Sequence, residues 1–321
     1  MKLAVLGTGK IVQEVLPILE NITGIALVGI LSTPRSLSKA QELAHRYAIP
    51  IATNRYEDLL ASDAIDTIYI ATPNNTHYTY AKKALQAGKN VICEKPFTLK
   101  KSDLEDLATI AKQKQVFLLE AITNQYLPNF AVIKEALPSI GEIKIVECNY
   151  SQYSSRYDAF KKGEVAPAFD PEMGGGALYD LNIYNIHLIV GLFGQPKSVY
   201  YLANKEKDVD TSGVLVMDFD RFKCVCIAAK DCEAEARSTI QGNKGSIAIL
   251  GATNSLPVIQ VTLNKEKSHL IDHNANKHRM QAEFENFERI LATRDSKSAQ
   301  KALEHSLAVM AVLDNAREYM K

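Results

Sequence analysis

Two hydrophobic periods alternate along the first third of the chain. Residues 3–6 form a short apolar run that stops at Gly7-Thr8-Gly9, after which Ile11, Val15, Leu16, Ile18 and Leu19 recur at helical spacing. A second apolar run at 25–31 closes a strand, helix, strand unit. Further on, 65–71 predicts a strand ending in Thr-Pro, 77–86 a helix stopped by Gly88, and 90–93 another strand. Ser102 and Glu105 predict a capping box for a helix running to Lys114, followed by a strand at 116–119. Strands alternating with helices in this way predict a parallel, doubly wound sheet.

Beyond Glu120 the pattern changes. Residues 142–150, 197–202, 213–218, 223–229, 237–241 and 246–250 predict strands of a mostly antiparallel open sheet, separated by polar turns such as Gly242-Asn243-Lys244-Gly245. The apolar positions Val214, Val216, Cys224 and Cys226 fit a sheet covered on both sides. The end of the chain returns to helical periodicity, with Phe284, Phe287, Ile290 and Leu291 in one helix and Leu303, Leu307, Met310, Ala311 and Leu313 in another. The expected fold class is α/β: a nucleotide-binding domain at 1–120 and a substrate-binding and oligomerisation α+β domain at 121–321.

Composition narrows the function classes. The 37 Lys plus Arg residues balance 37 Asp plus Glu. Nucleic-acid binding, which leans on neutralising many phosphates, therefore has no compositional support. Five cysteines without a CxxC pair indicate neither a disulfide framework nor a zinc site. No apolar stretch is long enough for a membrane span, and the start lacks a signal-peptide pattern. The expectation is a cytoplasmic protein with no membrane or nucleic-acid partner.

The chemistry begins at the glycine turn. Gly7-x-Gly9-x-x-Val12 keeps two glycines of a dinucleotide fingerprint: the first for the tight turn, the second so that backbone can approach a pyrophosphate at a helix amino terminus. An NAD site expects an acid at the end of the second strand, where it accepts the ribose hydroxyls. No Asp or Glu lies between Glu20 and Glu42, and the turn reads Ser32-Thr33-Pro34-Arg35-Ser36. A carboxylate there would repel a 2'-phosphate, whereas Arg35 with adjacent hydroxyls can bind one, so NADP(H) is favoured over NAD(H).

Three further segments carry a resemblance: Ala71-Thr72-Pro73-Asn74-Asn75-Thr76-His77, Glu94-Lys95-Pro96 and Gly174-Gly175-Gly176-Ala177-Leu178-Tyr179-Asp180-Leu181-Asn182-Ile183-Tyr184. With the Gly7-Thr8-Gly9-Lys10-Ile11 start, their order and spacing resemble the glucose-fructose oxidoreductase, inositol dehydrogenase and rhizopine-catabolism (Gfo/Idh/MocA) family, closest in pattern to its dimeric dihydrodiol dehydrogenase-like branch. The resemblance implies a Rossmann domain holding the cofactor through Gly7, Thr8, Gly9, Lys10, Ile11, Ser32, Thr33, Arg35, Thr72, Pro73, Asn74, His77, Glu94 and Lys95. It implies a cis bond before Pro96. It also implies Lys95, Asp180 and Tyr184 as catalytic residues, with Lys95 and Tyr184 meeting across a cleft, Asp180 and Tyr184 on one helical face, and pairing into dimers or tetramers through the second-domain sheet.

Those residue types suit an NADP(H)-dependent oxidoreductase acting on a hydroxyl or carbonyl of a sugar, polyol or similar small molecule. Hydride delivered to a carbonyl carbon requires a proton for the developing alkoxide, which a phenol or ammonium can supply. A dinucleotide-binding redox regulator and a glycosidase working through transient oxidation are the alternatives; the intact Lys95, Asp180 and Tyr184 set argues against the first and Arg35 against the second. His187, one turn beyond Tyr184, reads equally as a cleft residue or a structural one. Two departures stand out. Asn124-Gln125-Tyr126-Leu127-Pro128 lacks the arginine many relatives carry there, and Asn182 replaces a glycine, with asparagine's tolerance of positive φ keeping the backbone unchanged. His269, His273 and His278 read as an exposed loop, and no metal site is expected.

Overall fold

Leu3, Ala4, Val5 and Leu6 are all inaccessible to solvent, the pattern of a central parallel strand covered on both faces. The computed structural model describes residues 1–320 and places these residues in β1 (Lys2–Leu6). There follow α1 (Lys10–Leu19), β2 (Ala26–Leu31), α2 (Leu37–Arg46), β3 (Ile51–Thr53), α3 (Tyr56–Leu60), β4 (Thr67–Ile70), α4 (His77–Gln86), β5 (Asn90–Glu94), α5 (Lys101–Lys114) and β6 (Leu118–Ala121). The strands pair in parallel in the order β3-β2-β1-β4-β5-β6, the doubly wound arrangement of a dinucleotide fold. The capping box does not form. Lys100 is the N-cap of α5 and no side chain caps it, so Ser102 lies inside the first turn and Glu105 pairs with Lys101 at 2.9 Å.

Next come α6 (Pro128–Ala136), β7 (Ile143–Ser151), α7 (Tyr157–Lys161), a π-helical turn (Leu178–Asn182) leading into α8 (Ile183–Phe193), β8 (Ser198–Glu206), β9 (Val209–Asp218), β10 (Lys223–Ala229), β11 (Arg237–Gly242), β12 (Gly245–Ile249), β13 (Ile259–Leu263) and β14 (His269–Ile271). Their order is β14-β13-β12-β11-β7-β10-β9-β8, antiparallel except for the pair β7 and β10. His269 therefore sits on an edge strand, not in a loop; its exposed, polar surroundings hide the strand from hydrophobic periodicity.

Within this chain one face of the second sheet is covered. Val146, Cys148, Leu215, Met217, Cys224 and Cys226 are buried. On the opposite face Tyr200 pairs with Val216 and Val216 with Val225, while Leu202 pairs with Val214 and Val214 with Ile227. Here Tyr200 is 47% and Leu202 69% exposed.

The chain ends in α9 (Gln281–Ala292) and α10 (Ser296–Glu318). Phe284 and Phe287 of α9 are fully buried, and Phe284 meets the Tyr69 ring of β4 edge-on at 5.1 Å. Met280–Leu307 accordingly packs with Met1–Ala121, whereas the sequence places all of 121–321 in the second domain. Ile122–Arg279, with the chain from Ala308 onward, forms the other unit. Hydrophobic period reports a helix but not the sheet it covers, which is why the return of the chain escaped the sequence. No helix among the described residues is long and apolar enough to cross a membrane.

Candidate functional site

In the first unit, the selected loops leave the carboxyl ends of parallel strands: residues 7–9 after β1, 32–35 after β2, 72–74 after β4 and Lys95 after β5. Strand order reverses between β1 and β4, the position at which open α/β sheets form a ligand crevice. Gly7 has φ +115°, its N–H donates to Leu31 O at 2.9 Å, and a Cβ there would stand 2.6 Å from Ala71 O. Only glycine fits. Gly9, the N-cap of α1, faces open space: a Cβ would meet nothing within 4 Å. Val12 replaces the third glycine and is fully buried, packed beside the turn. Thr8 is half-buried and Lys10 exposed, 3.7 Å from Glu14, with Ile11 half-buried behind them. An open backbone turn at the amino end of a helix with no acid in its first turn suits a dinucleotide pyrophosphate.

After β2, Ser32 is buried and donates to Thr33 O at 3.1 Å, while Thr33 and Ser36 hydroxyls meet at 2.9 Å. These contacts build a short 3-10 turn, Pro34–Ser36, that carries Arg35 exposed. Beyond β4, Thr72 and Thr76 hydroxyls lie 2.7 Å apart, with Pro73 exposed and Asn74 half-buried.

His77 differs from its expected role. It is fully buried, with Nδ1 2.9 Å from Pro96 O and Nε2 2.9 Å from Thr72 O. Both partners are carbonyls, which only accept, so the neutral ring satisfies one and the imidazolium both. Burial pulls the ring's pKa down against that demand. His77 thus ties the Thr72 loop to the Lys95 loop from beneath. Glu94 is also held from inside, accepting from Tyr69 Oη at 2.6 Å, and Glu120 accepts from Phe97 N at 3.1 Å. Lys95, joined to Pro96 by a cis peptide bond, is half-buried on a loop pinned at each side.

In the second unit, Gly174-Gly175-Gly176 delivers the chain into the π turn. Gly176 has φ +114°, and a Cβ on it would fall 1.9 Å from Asp210 Oδ1. Asp210 Oδ2 accepts from Leu178 N and Tyr201 Oη, each at 2.7 Å, while Oδ1 has no hydrogen-bond partner. Burial raises this carboxyl to about 6. Asp180 and Tyr184 follow, but the turn carrying Asp180 is π-helical, so the regular helical face expected for the pair does not apply. Asn182 has φ −66°, so positive φ is not the reason for asparagine; its Nδ2 donates to Cys226 O at 3.2 Å and its Oδ1 accepts from Asn185 at 2.9 Å.

Tyr184 is buried, its ring 6.1 Å from that of Tyr150. The segment that lacks an arginine supports it: Asn124 Nδ2 donates to Tyr184 O at 2.8 Å and Thr253 O at 3.1 Å, and Gln125 Nε2 donates to His187 O at 2.9 Å. Thr253 Oγ1 donates to Asn185 Oδ1 at 2.7 Å, and Asn254 Nδ2 to Tyr150 Oη at 3.0 Å. His187 is fully buried, and its backbone carbonyl accepts from Gln125. Asp180 is 38% exposed and accepts from Lys230 Nζ at 2.8 Å. The sequence marks Asn124 only for its missing arginine and does not single out Asn185, Tyr150, Thr253 or Lys230, because no local pattern marks a polar residue whose partner is 50 or more positions away. Among the described residues no group of three or more His, Cys, Asp or Glu could hold a metal ion.

The family model described as oxidoreductase family, NAD-binding Rossmann fold, matches residues 1–121, and the Gfo/Idh/MocA C-terminal domain matches 133–248. The chain is 32% identical over 324 residues to scyllo-inositol 2-dehydrogenase (NADP(+)) IolU of Bacillus subtilis, covering 100% of this chain and 97% of that protein. It is 27% identical to trans-1,2-dihydrobenzene-1,2-diol dehydrogenase of Danio rerio, over 88% and 86% of the two chains. In fold it resembles KijD10, a 3-ketoreductase from Actinomadura kijaniata solved with NADP and TDP-benzene: TM-score 0.86, 19% identity, covering 99% and 97%. Glycine turn, lysine loop and the segment from Gly174 to Tyr184 thus stand in a matching frame from end to end, and the chain belongs to the Gfo/Idh/MocA family of oxidoreductases.

Proposed function

We propose that this protein is an NADP(H)-dependent oxidoreductase acting on a hydroxyl or carbonyl of a sugar, polyol or related small molecule. The observation that carries the cofactor choice is the turn after β2, where Arg35 is exposed beside the Thr33 and Ser36 hydroxyls and no carboxylate occurs between Glu20 and Glu42. A guanidinium binds a phosphate dianion through parallel N–H bonds, and hydroxyls add further donors. The NADP(+) in the name of the Bacillus relative supports the same choice.

Bound nicotinamide supplies the hydride donor or acceptor. Gly7, Thr8 and Gly9 leave room for the pyrophosphate, and Lys10, Ile11, Thr72, Pro73 and Asn74 line the approach. Tyr184 exchanges the proton of the reacting oxygen, Lys95 stabilises negative charge developing on it, and Asp180 accepts from a substrate hydroxyl. Glu94 and His77 act by holding the Lys95 loop. The exposed Tyr200 and Leu202 face supports homodimer or homotetramer formation through the second sheet.

The test is a 340 nm absorbance screen of inositols, aldoses, linear polyols, dihydrodiols and diketones with NADP(H) and NAD(H). Turnover of at least one polyol or sugar with NADP(H) is expected. Tight NADPH binding with no turnover of any compound contradicts the enzymatic reading.

A further inference from the structure

Lys230, at the end of β10, is charged yet only 2% exposed. Its ammonium has three fixed neighbours in the second unit. It donates to Asp180 Oδ2 at 2.8 Å and to the carbonyl of Ala168, and it stands 4.4 Å from the centroid of the Phe169 ring. Phe169 is itself fully buried in a stack with Phe160, 4.8 Å away, and Tyr157, 6.0 Å away. The lysine is locked at its base as well, because its backbone N–H donates to Thr211 O at 2.8 Å. A buried ammonium is retained only where such partners replace its hydration. Asp180, by contrast, remains 38% exposed, so part of its carboxylate reaches solvent.

We propose that Lys230 is a positioning residue: it clamps the Asp180 carboxylate to the Ala168–Phe169 turn, so that Asp180 presents a fixed anionic acceptor to a hydroxyl of the substrate. This rests on the assignment of Asp180 to substrate binding made above. A cation at 2.8 Å keeps the carboxylate ionised and therefore without a proton to donate, so the site favours substrates that offer a hydroxyl over those that offer a carboxylate or phosphate. Asp210 is the other carboxylate influenced by Lys230, but its oxygens face Leu178, Tyr201 and Gly176 within the fold. Asp180 is the carboxylate through which Lys230 reaches solvent.

The decisive experiment needs no substrate. Protein labelled with ¹³C at the Asp carboxyl carbons is titrated, with the Asp180 resonance assigned by its absence in Asp180→Asn. Lys230→Met, of similar length and without charge, is expected to raise the Asp180 midpoint by one pH unit or more, and Lys230→Arg by less than half a unit. A shift below 0.3 unit in Lys230→Met overturns the proposal. Kinetics with scyllo-inositol and D-xylose separate it from the assignment on which it rests. Lys230→Met should raise KM for the turned-over compound at least tenfold and leave KM for NADP(+) within twofold, and it should have little effect in the Asp180→Asn background. If Asp180→Asn raises KM and Lys230→Met does not, the clamp is wrong. If the titration shifts as expected while Asp180→Asn leaves KM unchanged, the clamp stands and the substrate role of Asp180 fails.

Discussion

Asn124 donates from its side chain to the backbone carbonyl of Tyr184, 60 residues further along the chain, at 2.8 Å. The same amide reaches Thr253 O, so one buried side chain fastens α8 and the loop before β13 to the segment that follows β6. Asn124 and Gln125 both serve here as internal donors.

Asn124→Leu leaves two buried carbonyls without that donor. At about 1–3 kcal/mol for each unsatisfied group, the expected loss is about 2–6 kcal/mol. Urea unfolding checks it: the midpoint should fall with the m-value unchanged, whereas a midpoint within error of the parent contradicts the network.

Tyr184→Phe removes only the phenol oxygen, while the backbone carbonyl held by Asn124 stays in place. With a substrate from the screen, turnover should drop by about 100-fold or more, the usual range for losing a general acid. NADPH affinity should remain within about twofold. Unchanged turnover takes Tyr184 out of the proton transfer.

Asp210 gives the account a pH signature. Its folded value of about 6 lies above the ordinary 3.8, because burial outweighs the hydrogen bonds from Tyr201 and Leu178. Between these values the folded state keeps a proton that the unfolded state has lost, so this group's contribution to stability falls as pH rises from 4 to 6. Asp210→Asn does not titrate. Relative to the parent, its unfolding free energy should therefore rise by about 2 kcal/mol between pH 4.5 and pH 7. A difference that stays flat across this range contradicts the raised value.

Much of the cofactor half was legible because strand and helix periods alternate and glycine marks a turn that side chains cannot enter. Gly7, with its Cβ position 2.6 Å from Ala71 O, shows why such a motif survives as a local signal. The roles of His77, Asn182 and Lys230 were not legible. Each depends on what the fold brings alongside: two carbonyls for His77, Cys226 O for Asn182, and Asp180 with Ala168 for Lys230. Packing of α9 with the first unit was hidden for the same reason, since Phe284 meets Tyr69 only in three dimensions.

The exposed Tyr200 and Leu202 of β8 predict self-association. Leu202→Glu places a charge beside the half-buried Val214, its cross-strand neighbour, on the face where Tyr200 and Leu202 are exposed. Sedimentation velocity should show a dimer or tetramer for the parent and a smaller species for the variant. A parent that sediments as a monomer contradicts the assignment of this face.

The central claim is that the turn after β2 selects NADP(H). The most direct measurement is the equilibrium dissociation constant of NADPH and of NADH, by fluorescence titration, for the parent and for Arg35→Ala. NADPH should bind at least tenfold more tightly than NADH to the parent, and Arg35→Ala should erase most of that ratio without weakening NADH. Equal affinities in the parent, or a ratio untouched by the substitution, would contradict the account.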